Sequence, residues 1–493
     1  MNAATTVLAL AIALFAVIPT SAAEDYDLVL RGGRVIDPET GLDAIRNVGI
    51  SAGEIVRITS ESIEGATLID ASGRVVAPGF IDVHSHTPTL LGQHANILDG
   101  ITTQLELEAG AYPVGEYGDH YRGGAQLNYG ASVGHALIRM RVMEDLDQAY
   151  FFSGNTIAPL GGEAWTRRAT DAELSLMREM IERGLSEGGL GIGVALDYMT
   201  RAVSDEELRM VFEVAARHQA PVFVHVRRGM AGDPAGLLEV LALAKETGAP
   251  LFVCHITHSA MGNVSQWLSL IDEARSEGVR VATETLSYAA GGTNIGADVF
   301  RYRDWQAIFG ITYEDVQWVA TGEWLTEETW NHYAKTQPEG AVNHHYVKEP
   351  WMETAMRWPQ MMISTDALPA FDREVFTNPN IAGTFSRFLG HYVRERNLLP
   401  LADALARTSL LQADWLSGIA PAFARKGRIQ EGADADIVIF DPDTIAAGAT
   451  YGDPYTPPAG VHHVIVGGRV VVENGERVEG RYPGRRMLGS PGG

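Results

Sequence analysis

Between Thr170 and Thr285 the chain alternates amphipathic helices with short, fully apolar strands, a pattern that a parallel sheet covered by helices buries efficiently. Thr170 to Glu173 makes a capping box ahead of Leu174, Met177, Ile181 and Leu185 on one helical face, and "LGIGVAL" (190–196) reads as the next strand. Ser204 to Glu207 is a second capping box, before Leu208, Val211 and Phe212, and "PVFVHV" (221–226) follows. A helix over 236–247 stops at Gly248 before "PLFVCHI" (250–256), and another over 264–277 stops at Gly278 before "VRVATET" (279–285). This rhythm fits either a (β/α)8 barrel or a doubly wound sheet. Polar residues favour the barrel: His84, His225, His255 and Asp366 each close a strand, and barrel enzymes gather their chemistry on that rim.

Two distant segments resemble each other, "LVLRGGRVID" (28–37) and "VIVGGRVVVENG" (464–475), and "ADADIVIFD" (433–441) adds a further strand. Each Gly-Gly reads as a hairpin turn. The expected fold is thus an α/β barrel over 81–415 with a small β-sandwich formed from both chain termini (24–80 and 416–480), leaving 481–493 as a tail. Residues 294–360 break the barrel rhythm and hold six of the nine tryptophans. Such an insertion serves either as a lid over a bulky substrate or as a unit that packs its own helices.

Residues 1–23 carry an apolar stretch from Val7 to Ile18 and small residues up to Ala23, which reads as a signal peptide and implies a periplasmic or secreted protein. The stretch is too short for a stable membrane anchor. A net charge of −24 excludes nucleic acid as a natural partner, because too little positive charge is present to neutralise phosphates. Cys254 is the only cysteine and sits in an apolar run, so disulfides add nothing to stability and a small buried hydrophobe is its expected role.

"FIDVHSH" (80–86) places His84 and His86 on one face of an extended chain, about 7 Å apart along it and within reach of one ion. With His225, His255 and Asp366 they make a nitrogen and oxygen donor set suited to Zn2+ or a similar divalent metal, one or two ions per chain. The earliest lysine is Lys245, on a predicted helix, so a carbamylated lysine cannot bridge two ions. "GITTQLELEAG" (100–110) offers Glu108 instead, with Glu106 as the alternative. A carboxylate in an apolar strand needs a metal or an ion pair, and Arg139 is the candidate partner for the second case. A bound divalent ion lowers the pKa of its water and polarises a carbonyl, while Asp366 takes the proton and returns it to the leaving amine. Hydrolysis of an amide or related acyl bond of a small molecule is the matching reaction class. A dipeptidase, lactonase or imidase on the same scaffold, or a non-catalytic metal-binding protein, stands as the alternative.

"PGFIDVHSH", "GITT", "VGHALIR", "GLGIGVALDY", "HVR", "CHITH", "STDA", "GTFSRFLGHYVRE" and "GRIQEGADADIVIFDPDTI" together resemble the N-acyl-D-amino-acid deacylases (D-aminoacylases) of the amidohydrolase superfamily. The resemblance implies a metal-bearing barrel with a terminal β-sandwich. It also implies His84, His86, His225, His255 and Asp366 as ligands, Asp366 doubling as general base and acid. Several positions depart from that pattern. Ala109, beside Glu108, stands where the family has a bridging cysteine. Thr257 replaces a lysine that grips the substrate carboxylate, Leu286 a tyrosine, and Asn378-Pro379-Asn380 an HPR. Arg227, Arg228, Tyr288 and His258 are the residues available to bind substrate in their place. The expected preference has therefore moved away from simple N-acetyl-D-amino acids.

Overall fold

The structure is a computed structural model that describes residues 26–490 apart from 122, 151, 154–155, 158–160 and 375–376. The presumed signal peptide lies outside the described residues. Eight parallel strands follow one another in the order Phe80–Asp82, Ile101–Ala111, Asn128–Gly134, Ile192–Ala195, Val222–His225, Leu251–Val253, Val281–Thr285 and Met362–Ile363. Closure comes from the chain just past the first and last of them, where Asp366 N–H donates to His84 O at 2.7 Å and His86 N–H to Ala367 O at 3.0 Å. Asp82 reinforces the seam, accepting from Thr365 N–H at 3.0 Å and from its hydroxyl at 2.6 Å. The fold is therefore a (β/α)8 barrel. Its strands are buried almost throughout, Tyr129 being the half-buried exception, as suits a sheet covered on both faces.

Helix boundaries follow the local chemistry. Thr170 and Glu173 close a complete capping box on Asp171–Ser186. Ser204 accepts from Glu207 N–H, but the Glu207 carboxylate does not complete the box. It is fully buried and bound instead to Arg139 at 2.5 Å and His135 at 2.8 Å. Arg139, the ion-pair partner considered for Glu108, is thereby committed to Glu207. The helices Ala235–Thr247 and Val264–Ser276 end at or just before Gly248 and Gly278, both at positive φ.

Both termini build one nine-stranded sheet, in which Val75–Pro78 pairs antiparallel with Ile437–Phe440. Alternation along the latter strand divides its two faces. Ile437 and Ile439 pack with Leu28, Leu30, Val48 and Ile465, whereas Val438 and Phe440 pack against the barrel side with Phe80 and Phe385. The two Gly-Gly pairs differ from each other. Gly467-Gly468 is the expected hairpin turn between Val461–Val466 and Arg469–Glu473. Gly32-Gly33 is instead a bulge inside the continuous strand Tyr26–Asp37, because a single left-handed glycine (Gly32, φ 68°) adds an unpaired residue without reversing the chain. The terminal segment also packs: Gly484 donates to Ala125 O at 2.8 Å and Met487 to Tyr129 O at 2.7 Å.

The insertion after the seventh barrel strand forms its own four-stranded sheet, from Gly291–Asn294, Val316–Trp318, Glu323–Trp324 and Ala341–His344. Trp305, Trp318 and Trp330 pack within that unit, whereas Trp358 donates to Asp272 on the barrel helix Val264–Ser276 at 3.2 Å. Trp305 and Trp330 stack at 4.7 Å and Trp318 lies on Tyr333 at 4.3 Å. Among the described residues, no helix is long and apolar enough to cross a membrane.

Candidate metal centre

Two imidazoles past the first strand are oriented by carboxylates behind them. His84 Nδ1 faces Glu284 Oε1 at 3.0 Å, and His86 Nδ1 faces Glu106 Oε2 at 2.8 Å. A carboxylate only accepts, so these contacts place a proton on each Nδ1 and leave each Nε2 with a lone pair. The two Nε2 atoms stand 3.2 Å apart, with Asp366 Oδ1 at 3.4 and 3.3 Å from them and Glu108 Oε2 at 3.3 and 3.5 Å. Each lone pair can take a proton or a cation; one divalent cation satisfies all of them at once, and this donor set suits zinc.

The other Glu108 oxygen reaches a second cluster. Oε1 lies 2.8 Å from His255 Nε2 and 3.1 Å from His225 Nδ1, and those nitrogens are 3.0 Å from each other. One carboxylate thus touches two separate imidazole pairs through its two oxygens, the geometry of a bridge between two cations. Glu106, two residues earlier on the same strand, does not reach that position and instead orients His86. Glu284 had no place in the sequence reading. Its signal was the one used for Glu106 and Glu108, an acid near the end of an apolar strand.

Charge explains the protonation of the cluster. Burial alone would lower the His84 and His86 pKa values, yet Asp366 and Glu108 push His84, and Glu106 with Asp366 pushes His86, well above the ordinary range. Conversely, burial would raise Glu108, but His84, His225 and His255 hold it far below the usual carboxylate range. The acids therefore draw positive charge into a buried site, a role a metal can take over from protons. Backbone strain accompanies the arrangement. His255 (φ 33°) and Asp366 (φ 46°) both sit in the left-handed region, which costs about 1–2 kcal/mol for a non-glycine residue and persists where the surroundings over-determine it.

A small cleft opens on this centre, lined by His225, His255 and Asp366 together with Asp197, Tyr198, Arg228, His258, His344 and Tyr346. The structure turns two of the four expected substrate-binding residues away from the cleft. Arg227 spends its guanidinium on Glu239 and on Val203 O, and it is not among the cleft-lining residues; its neighbour Arg228 is. Tyr288 donates its hydroxyl to Ala449 O at 2.8 Å and is likewise absent from the lining. His258 does line the cleft, and the insertion contributes His344 and Tyr346 rather than any tryptophan. Thr257 is buried against Thr285, hydroxyl to hydroxyl at 2.5 Å. Asn378 and Asn380 donate to Asp366 O at 3.1 Å and Thr365 O at 2.6 Å, so they brace the loop that carries Asp366. Cys254 is buried and its thiol is pushed upward by desolvation, which keeps it a neutral packing group.

Supporting acids carry a measurable consequence. Glu106→Gln removes the anionic acceptor behind His86 without changing side-chain size, and such outer partners are worth about 10–100-fold in metal affinity. Competition titration with a metallochromic chelator should show that loss with an unchanged far-ultraviolet circular dichroism spectrum. Unaltered affinity would remove Glu106 from the centre's support.

A parallel barrel whose rim brings four imidazoles, one carboxylate that touches both pairs of them and the Asp366 carboxylate together under a cleft defines a metal-dependent hydrolase. The chain belongs to the amidohydrolase family, whose sequence model matches residues 67–472. It is 28% identical to the D-aminoacylase of Alcaligenes xylosoxydans xylosoxydans over 94% of this chain and 98% of that protein. With the N-acyl-D-glutamate deacylase of the same organism it shares 30% identity, over 91% and 94% of the two chains. Among solved structures, the N-acyl-D-glutamate deacylase of Bordetella bronchiseptica, complexed with zinc and a phosphonate inhibitor, superposes with a TM-score of 0.77 at 25% identity, covering 94% of this chain and all of that one. A D-aminoacylase with a binuclear metal centre gives 0.78 at 25% identity over the same shares.

Proposed function

We propose that this protein hydrolyses the amide bond of an N-acyl amino acid or a similar small amide, using one or two divalent cations, zinc foremost. The observation that carries the reading is Glu108, one oxygen on the His84 and His86 side and the other on the His225 and His255 side. The relatives that act on N-acyl-D-amino acids support the D configuration for the substrate. His84, His86 and Asp366 would hold one cation, His225 and His255 the other, and Glu108 would touch both. Bound there, a divalent cation supplies Lewis acidity, polarising a carbonyl and easing deprotonation of water.

The protein's own groups supply the proton traffic. Asp366 lines the cleft and its carboxyl, which burial alone would raise, is held below the ordinary range by His84, His86 and His255. It therefore stays anionic near neutrality and can take a proton from the attacking water, then deliver it to the leaving nitrogen. Glu284 and Glu106 keep the His84 and His86 rings from rotating during that exchange. Tyr198, its hydroxyl 2.7 Å from Thr293 Oγ1, lines the cleft beside the insertion wall. The apolar stretch from Val7 to Ile18 supports export as the setting for this activity.

The replacements at Thr257, Leu286 and Asn378–Asn380 support a preference displaced from simple N-acetyl-D-amino acids. A panel of N-acyl-D- and N-acyl-L-amino acids and dipeptides, assayed by amine release from the metal-loaded protein, tests both statements. Turnover of one class is the expected result. No hydrolysis anywhere in the panel would reject the activity, and efficient turnover of N-acetyl-D-glutamate or N-acetyl-D-methionine would reject the shifted preference.

A further inference from the structure

One wall of the cleft carries a buried cation that the protein leaves unsaturated. Arg228 is 9% exposed, and its Nε has no hydrogen-bond partner among the described residues. The nearest carboxylate oxygen, Asp197 Oδ2, stands 3.9 Å from Nη1. The other Asp197 oxygen is committed, Oδ1 accepting from the Arg228 backbone N–H and from Arg303 Nη1, both at 2.8 Å, while Oδ2 also faces His225 Nε2 at 3.8 Å. The Arg228 guanidinium rests over the Phe309 and Tyr346 rings at 5.1 and 5.9 Å. Those contacts fix its plane without using its N–H donors. A desolvated charge with idle donors is costly, and a planar anion removes that cost.

Two buried imidazoles stand beside it. His258 and His344 are 2% and 3% exposed, His258 against the backbone of Ala290 and His344 against that of Gly291. Both rings line the cleft, and an imidazole nitrogen there can take part in a hydrogen bond to a ligand. Tyr346 ties them together, its ring 5.9 Å from His258 and 4.9 Å from His344, its hydroxyl donating to His258 O at 2.8 Å. His258 in turn lies 6.3 Å from the His255 ring, so this wall adjoins the metal centre. Asp298 shares the wall, and burial with the charge of Asp197 pushes its carboxyl toward the uncharged form.

We infer that Arg228, with His258 and His344 beside it, grips the carboxylate of the substrate's amino-acid part. The inference rests on the amide-hydrolase reading above and names the group that orients the substrate. A guanidinium fork matches a carboxylate bidentately, and the two rings stand beside it on the same wall.

The test compares the best N-acyl amino acid of the panel with its carboxamide in wild type, Arg228→Gln and Arg228→Lys. Wild type should favour the acid by about 30-fold or more in kcat/KM, mainly through KM. Arg228→Gln should bring the ratio within about 3-fold while metal content is unchanged, and Arg228→Lys, which keeps charge but loses the fork, should fall between. An unchanged ratio, or equal losses on both compounds, would overturn the assignment. Should Arg228→Gln fail to fold, Arg228→Lys decides by the same ratio. If no panel amide is hydrolysed, the activity reading fails by itself. Calorimetric titration of wild type with the panel's N-acyl amino acids and their carboxamides then decides Arg228, and equal affinity or no binding overturns it.

Discussion

Asp366→Asn should reduce kcat by about 1,000-fold, within the range that positioned acid–base groups contribute, while leaving the fold intact. Asparagine keeps the shape and one oxygen near the His84 and His86 Nε2 atoms, which Asp366 Oδ1 approaches at 3.4 and 3.3 Å. It gives up the charge that allows a proton to be taken and returned. Because Asp366 N–H bonds to His84 O, backbone closure of the barrel does not depend on the side chain. Metal content, measured by mass spectrometry alongside the rate, separates two outcomes. Retained metal with lost kcat assigns the proton work to Asp366, and full activity removes it from the reaction.

The pH dependence has a definite sign. Asp366 has its carboxyl lowered below the ordinary carboxylate value by the facing imidazoles, so its basic form persists as pH falls through the range where an unperturbed aspartate would begin to protonate. Activity of the wild type should therefore not be lost near the ordinary aspartate pKa on account of this residue, and any acid limb at higher pH belongs to protons competing for the imidazoles.

The barrel and the rim were legible because both depend on short-range regularities. Capped helices and apolar strands announce the alternation, and a histidine or aspartate that ends such a strand has one place to go. Glu106 and Glu108 resisted assignment for the same reason that made them visible: residues two apart on a strand share a face, and only the surrounding imidazoles distinguish them. Arg227 and Arg228 were adjacent, and no periodicity says which one turns toward Glu239 and which toward the cleft. Asp197, His344 and Tyr346 reach the cleft from outside the barrel's strands, where composition carries no directional signal. Gly32-Gly33 and Gly467-Gly468 look alike in sequence, and the difference between bulge and turn was set by which strands were available to pair with each. The second capping box failed at Glu207 because a buried arginine, Arg139, competed for the same carboxylate and won.

Glu108→Ala should produce the largest change in the metal centre. Glu108 is the only described side chain that contacts both imidazole pairs, at 3.3 Å to His84 Nε2 on one side and 2.8 Å to His255 Nε2 on the other. Removing it takes one anion from a buried cluster whose positive charge it balances, a loss of about 3–5 kcal/mol when a single partner of a buried ion pair is deleted. That energy corresponds to a weakening of metal binding by at least about 100-fold, so under modest free zinc the variant should hold at most one ion per chain. Metal bound only to the native state stabilises it by about 4 kcal/mol at a free concentration 1,000 times Kd. The variant should consequently show a smaller rise in Tm on zinc addition than wild type, and a chelator should narrow the gap between the two proteins. Glu108→Asp tests the reach of the bridge, because a side chain one methylene shorter keeps the charge but cannot hold both oxygens in place. Its metal stoichiometry should resemble that of the alanine variant more than that of wild type. A Glu108→Ala protein that binds metal with wild-type stoichiometry and the same zinc-dependent shift in Tm would show that the two imidazole clusters are held independently.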